Sequence, residues 1–377
     1  MQAASLRRLA GSLTAQALAI VLVSRFFLFL VNWYSLRAIP PDWVGMDRLV
    51  GGWARWDAGH YIRIAQNGYT DPVDPGSPAF FPLFPLLMRG AVLLSGQEVT
   101  GGRLAAASVV VANLCFLIAV PVFAHLVNRR CGRDVALVAT LLLCISPYSL
   151  FFSAGYSESL FLMLAVLMFT CVDRRWWLAA ALIAGVASAS RVTGLALAPA
   201  LLLAAWRCHA SRRDLAGIVV LSPLGIVAYA AFTWRELGDP LALLTAQSGW
   251  GGWNERVLHF AKVFLHPHET LFGDPAHLIV LLNVGLWGLW LVSLPWVWRM
   301  LDPGIALFTT LLVVGHGLTT WISLGRYLLP AIGFYMVAAV LLTRPGWRDV
   351  PRELVVVVST ILLTALTILF GHAAWVI

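Results

Sequence analysis

Charged side chains are missing from long stretches of this sequence. Between Ser12 and Tyr34 the only one is Arg25. Similar apolar runs recur at about 104–127, 134–147, 156–172, 177–190, 192–206, 214–234, 277–298, 304–322, 326–342 and 353–376. A run of roughly 20 such residues can cross a bilayer, because a helix satisfies its own backbone groups where no water is available. Of the 377 residues, 60% are hydrophobic and 12% charged. Soluble domains carry roughly 25% charged residues to coat their surfaces. This chain has too few to do so, which excludes an ordinary soluble enzyme, a disordered chain and a disulfide scaffold. The expected fold class is all-α: a polytopic membrane protein with about eleven transmembrane helices in a single domain over 1–377.

The formal net charge is +8, with Lys262 the only lysine. Nucleic-acid binding would need the basic residues gathered on one aqueous face. Here they form short clusters between apolar runs, which is a topology signal. The segment Phe80–Gly96, broken by Pro82 and Pro85, decides the topology. If it crosses the membrane, later clusters fall on opposite sides. If it lies in the interface, Arg7/Arg8, Arg129–Arg133, Arg174/Arg175, Arg207/Arg212/Arg213, Arg299 and Arg344–Arg352 share one side, the cytosol. The N-terminus is then cytoplasmic, the first run is too long for a cleaved signal peptide, and two loops, 35–103 and 235–276, lie outside. Within the second loop, residues 254–266 put Val257, Leu258, Phe260 and Leu265 opposite His259, Lys262 and His266. That pattern predicts an interfacial amphipathic helix. No internal repeat is visible, which counts against an inverted-repeat transporter.

The few charges outside those clusters are the candidates for chemistry. Asp57 sits in Arg55-Trp56-Asp57-Ala58-Gly59-His60-Tyr61, where Tyr61, Ile64 and Ala65 predict a helix stopped by Asn67-Gly68. Asp57 could serve as a helix N-cap or, among Trp56, His60 and Tyr61, as a general base. Phe80-Phe81-Pro82-Leu83-Phe84-Pro85 is a rigid apolar wedge or the wall of a lipid groove. Ser146–Ser159 forms an outer turn ending in Tyr156 and Glu158, and a carboxylate at a span is a functional hypothesis by default. Arg191 and Arg326 stand alone at outer span ends. Their guanidinium forks suit phosphate oxygens, or they pair with Asp57 or Glu158, and both can hold at once.

His266, His268, Glu269, Asp274 and His277 match no standard zinc spacing, so no metal and no cofactor is expected. The five cysteines, Cys115, Cys131, Cys144, Cys171 and Cys208, read as small apolar residues rather than a disulfide framework.

RWDAGHYIRIAQNGY, then AFFPLFPLL, then SPYSLFFSAGYSESLF together resemble the PIG-V family of mannosyltransferases. The resemblance runs from about Arg55 to Gly194 and touches Arg326-Tyr327. It implies the GT-C superfamily of membrane glycosyltransferases: a cytosolic N-terminus and a first outer loop carrying juxtamembrane helices and the catalytic acid. It further implies a polyprenyl-phosphate sugar donor, with mannose the family's sugar, and inversion at the anomeric carbon. Asp57 would be the base, Arg191 and Arg326 would hold the leaving phosphate, and Trp56, His60, Tyr61, Tyr156 and Glu158 would position substrate. A phosphate diester leaves readily, so this chemistry does not strictly need a general acid or a metal.

The near-exclusive use of Arg over Lys suggests a GC-rich prokaryote. That implies a plasma membrane with an extracytoplasmic active site, or the ER membrane in a eukaryote. The acceptor would be a lipid, a glycan or a protein. The competing expectation is a transporter or flippase of lipid-linked sugars, which would place its polar residues near the membrane midplane on broken helices.

Overall fold

The computed structural model describes residues 12–37, 48–247, 265, 275–319, 323–344 and 350–372. The expected amphipathic helix at 254–266 and the His266–His277 cluster fall almost wholly outside the described side chains. Among the described residues there are helices and no strands.

The first described helix is α1 (Leu13–Arg37), and the short surface helices α2 (Asp57–Asn67) and α3 (Leu83–Leu94) come after it. Then come α4 (Gly101–Cys131), α5 (Arg133–Ile145), α6 (Glu158–Asp173), α7 (Trp177–Ser188), α8 (Leu197–Arg207), α9 (Arg212–Leu221) and α10 (Leu224–Leu237). After the short α11 (Ala242–Gln247) follow α12 (Pro275–Met300), α13 (Pro303–Thr319), α14 (Leu324–Tyr327), α15 (Ile332–Thr343) and α16 (Val350–Gly371).

Each of the eleven apolar runs coincides with a helix or a pair of helices. Among the described residues, five segments are long and apolar enough to cross a membrane: Leu13–Arg37, Gly101–Cys131, Arg212–Leu237, Leu278–Met300 and Pro351–Gly371. The others are shorter, so eleven is a count of apolar helical segments and not of full-length spans. Several breaks have a local cause. Ser222-Pro223 separates α9 from α10, and Pro330 separates α14 from α15, because proline removes a backbone donor and crowds the preceding turn. At α3, Pro82 occupies the N-cap and Pro85 the first turn, where a missing N–H costs little. At 12 residues, about 18 Å long, α3 is too short to cross.

The charge clusters segregate along the helix axes. Arg130, in the last turn of α4, pairs with Asp173 at the end of α6 and with Asp302 in the turn between α12 and α13. Three turns that the charge argument puts on one side are thereby tied at one end of the bundle. The opposite end of α6, roughly 22 Å away along its axis, begins with Glu158.

Arg25 joins α1 to the end of α5 and the turn that follows it. Buried in α1, it donates through Nη1 to the Ser149 carbonyl at 2.7 Å and through Nη2 to the Cys144 carbonyl at 2.6 Å and to Ser149 Oγ at 3.0 Å. Its guanidinium also lies 4.8 Å from the centre of the Phe116 ring. The bond to Cys144 satisfies a carbonyl that the end of α5 leaves open, and the two to Ser149 fix the 3-10 turn Ser149–Phe152. That turn leads directly into Ser157 and Glu158.

Candidate active site

The segment before α2 is held in an unusual backbone. Trp56 has φ 55 and ψ −119, a left-handed conformation that costs a bulky residue about 1–3 kcal/mol and tends to persist only where the surroundings enforce it. They do so here. The Gly155 N–H donates to the Trp53 carbonyl at 3.0 Å, and the Tyr156 hydroxyl donates to the Arg55 carbonyl at 3.0 Å. A Cβ on Gly155 would come within 2.2 Å of Ser108 Oγ, so only glycine permits this approach. The result leaves the Trp56 ring 43% exposed. Asp57 becomes the first helical residue of α2 and not its N-cap.

The Asp57 carboxylate faces α14. Arg326 Nη1 lies 2.7 Å from Asp57 Oδ2, and its Nε lies 3.0 Å from Glu158 Oε1. Glu158 Oε1 is in turn 2.6 Å from Arg191 Nη1. The four charges therefore alternate in one chain, Asp57–Arg326–Glu158–Arg191. Glu158 is 1% exposed and Arg326 3%, whereas the Asp57 side chain keeps 26% of its surface open. The centre of this chain of charges is buried and its Asp57 end is accessible. Arg326 also packs on aromatic rings, with its guanidinium 5.0 Å from the Tyr156 ring centre and 4.8 Å from that of Tyr327. Such faces stabilise a cation in a dry site.

Backbone geometry again presents the arginine. Ser323 takes φ 63, the Gly325 N–H donates to Asn283 Oδ1 at 2.8 Å, and a Cβ on Gly325 would strike the Tyr148 ring at 2.2 Å.

Tyr61 and His60 point to different neighbours. Tyr61 shares a 2.8 Å hydrogen bond with Ser157 Oγ, which also accepts from Arg191 Nη1 at 3.3 Å. Burial raises the Tyr61 phenol above its ordinary range, so it stays a neutral hydroxyl. The expected wedge packs on this face. Phe80 stacks on His60 at 4.4 Å, and Phe80 and Phe84 stand edge-on to Tyr61.

His60 Nδ1 lies 2.8 Å from both oxygens of Asp74, a carboxylate that is 4% exposed. Asp74 is the site residue that the sequence reading missed. It sits in the turn-forming segment Asp71-Pro72-Val73-Asp74-Pro75, and no periodicity links it to His60. Beside this pair opens a cavity of about 650 Å³, lined by His60, Asp74, Pro75, Pro78, Asp239 and Thr245 among others. Among the described residues, no group of three or more His, Cys, Asp or Glu could hold a metal ion.

The helices and this charged end define an integral membrane protein of the GT-C-like fold. Two solved structures share that fold. The oligosaccharyltransferase of Archaeoglobus fulgidus in its apo form is 13% identical with a TM-score of 0.52, the match covering 95% of this chain and 55% of that one. ArnT from Cupriavidus metallidurans bound to undecaprenyl phosphate is 13% identical with a TM-score of 0.50, covering 94% of this chain and 71% of that one.

Residues 41–209 match the family model Mannosyltransferase (PIG-V), so this part of the chain is similar to that family. GPI alpha-1,6-mannosyltransferase 2 of Mus musculus is 33% identical over 198 residues, or 49% of this chain. The match covers only 39% of the mouse protein's own length.

Proposed function

We propose that the protein is a mannosyltransferase that moves the sugar from a polyprenyl phosphate to an acceptor hydroxyl, with inversion, on the extracytoplasmic face of its membrane. The observation that carries this reading is the partly exposed Asp57 carboxylate at the end of a buried charge chain, inside the region that matches the family model. Asp57 takes the proton from the acceptor hydroxyl as that oxygen attacks C1. The bond from C1 to the phosphate oxygen breaks, and its electron pair leaves with the lipid phosphate. Arg326 keeps Asp57 oriented and, with Arg191, fixes the two carboxylates beside the leaving phosphate. Glu158 holds both arginines. The exposed Trp56 ring offers a stacking face for the sugar.

His60, oriented by Asp74, faces the cavity in which the acceptor is placed. Its volume suits a ligand of small-molecule size. Tyr61 and Tyr156 act through Ser157 and the Arg55 carbonyl. A polyprenyl phosphate as leaving group accords with the undecaprenyl phosphate bound to ArnT.

The charges collect at helix ends and surface helices, which favours catalysis at a membrane surface over transport through a midplane site. The clusters tied by Arg130 lie at the opposite end, and the positive-inside rule assigns that end to the cytosol.

The test is transfer by the purified full-length protein in lipid nanodiscs with candidate lipid, glycan and protein acceptors. Radiolabelled mannose is supplied either on polyprenyl phosphate or on a nucleoside diphosphate. Label is expected to move from the lipid donor alone. Transfer from the nucleotide donor alone would overturn the reading.

A further inference from the structure

The four charges of the site cancel: Asp57 and Glu158 against Arg326 and Arg191. An anionic lipid phosphate arriving there would find both arginines already neutralised, at distances of 2.6 to 3.0 Å. To bind it they would have to surrender carboxylates buried with them, a costly exchange in a dry site.

One cation of the same motif makes no such ion pair among the described residues. Arg55, two residues before Asp57, is half-buried, and its Nε is sealed from solvent with no hydrogen-bond partner. Among the described residues its guanidinium makes no ion pair. Burial lowers its pKa, and no neighbouring charge contributes to the shift. Other arginines of the first loop behave differently: Arg63 donates to the Val73 carbonyl and Arg89 to the Ala65 carbonyl. A buried, unpaired donor on a charged group is expensive and calls for an explanation in a native fold. The Arg55 backbone is also pinned to the site, since its carbonyl accepts from Tyr156, whose ring lies under Arg326.

We propose that Arg55 is the primary phosphate-binding cation of the donor site, offering its guanidinium fork to the oxygens of the lipid phosphate. Arg191 and Arg326 then act from behind it, fixing the carboxylates. This rests on the lipid-phosphate donor proposed above and adds a residue to which that reading gave no ligand role.

The experiment is a binding titration of the full-length protein in nanodiscs, followed by tryptophan fluorescence. The ligands are a short polyprenyl phosphate, the matching polyprenol, and inorganic phosphate as competitor. Arg55→Gln is expected to weaken the polyprenyl phosphate by about 10- to 100-fold, the range of a lost charge-assisted contact, and to leave the polyprenol unchanged. Arg55→Lys should lose less, keeping the charge without the fork. Arg63→Gln, a nearby cation outside the site, should change affinity by less than about twofold. Competition by inorganic phosphate that Arg55→Gln abolishes supports recognition of the headgroup alone. A loss confined to the lipid form supports headgroup and chain together.

Three outcomes count against the proposal. If Arg55→Gln binds like the wild type while Arg191→Gln or Arg326→Gln does not, the phosphate sits on the charge chain; Arg55 is excluded and the donor reading survives. If Arg55→Gln weakens the polyprenol equally, its role is structural. If the wild type ignores polyprenyl phosphate, the donor reading itself fails.

Discussion

Asp57→Asn is expected to lower the rate of sugar transfer by about 10²- to 10⁴-fold, the usual contribution of a positioned general base. Its melting temperature should stay within a few degrees of the wild type. The two halves of this result have separate causes. Asparagine cannot accept the acceptor proton, so the chemistry is lost. Yet its amide oxygen can still face Arg326, whose Nε remains 3.0 Å from Glu158 Oε1, and the side chain is partly in solvent. Binding of the donor should persist, placing the loss in kcat and not in KM. Near-normal transfer by a well-folded Asp57→Asn protein would remove Asp57 from the mechanism.

Glu158→Gln is expected to fail in the opposite way, through stability. This carboxylate is 1% exposed and lies against two arginines. Neutralising it leaves Arg191 and Arg326 buried beside a single remaining anion, Asp57. Removing one partner of a buried ion pair costs about 3–5 kcal/mol, and that loss should appear as a large drop in the thermal unfolding temperature in detergent. A second substitution separates charge from packing. Adding Arg191→Met to Glu158→Gln removes the surplus cation, so the pair together should cost less than the sum of the two singly. Additive losses would mean that the two residues do not act as a pair.

How legible these residues were depends on how rare charge is in the chain. In a soluble protein Glu158, Arg191 and Arg326 would be lost among dozens of surface charges. Here, with 12% charged residues, each stood out at a helix end, and their pairing with Asp57 could be anticipated from the need to neutralise buried ions. The helical segments were legible for a related reason, since apolar runs have few alternatives in lipid. Their ends were less so. The first run extends to Arg37, and α4 covers Gly101–Cys131 instead of about 104–127, because polar residues at the membrane surface continue a helix without any hydropathy signal.

Asp74 and Arg55 were hidden for different reasons. Asp74 meets His60 only once the chain has turned back through Pro72 and Pro75, a contact that no local pattern encodes. Arg55 was in plain view inside the quoted motif, but its distinction, a buried Nε without a hydrogen-bond partner among the described residues, is visible only in the folded chain. Likewise, the left-handed Trp56 gives no sign in sequence, because a bulky residue is seldom found in that conformation.

The measurement that bears most directly on the mechanism is the anomeric configuration of the product. A single displacement, with the acceptor oxygen activated by Asp57 and the lipid phosphate leaving from the opposite face, must invert C1. NMR of the glycosylated acceptor formed by the wild-type protein from polyprenyl-phosphate mannose of known configuration is expected to show the opposite anomer. Retention of the donor's configuration would contradict the account, since it would require two displacements and a nucleophile in place of a base.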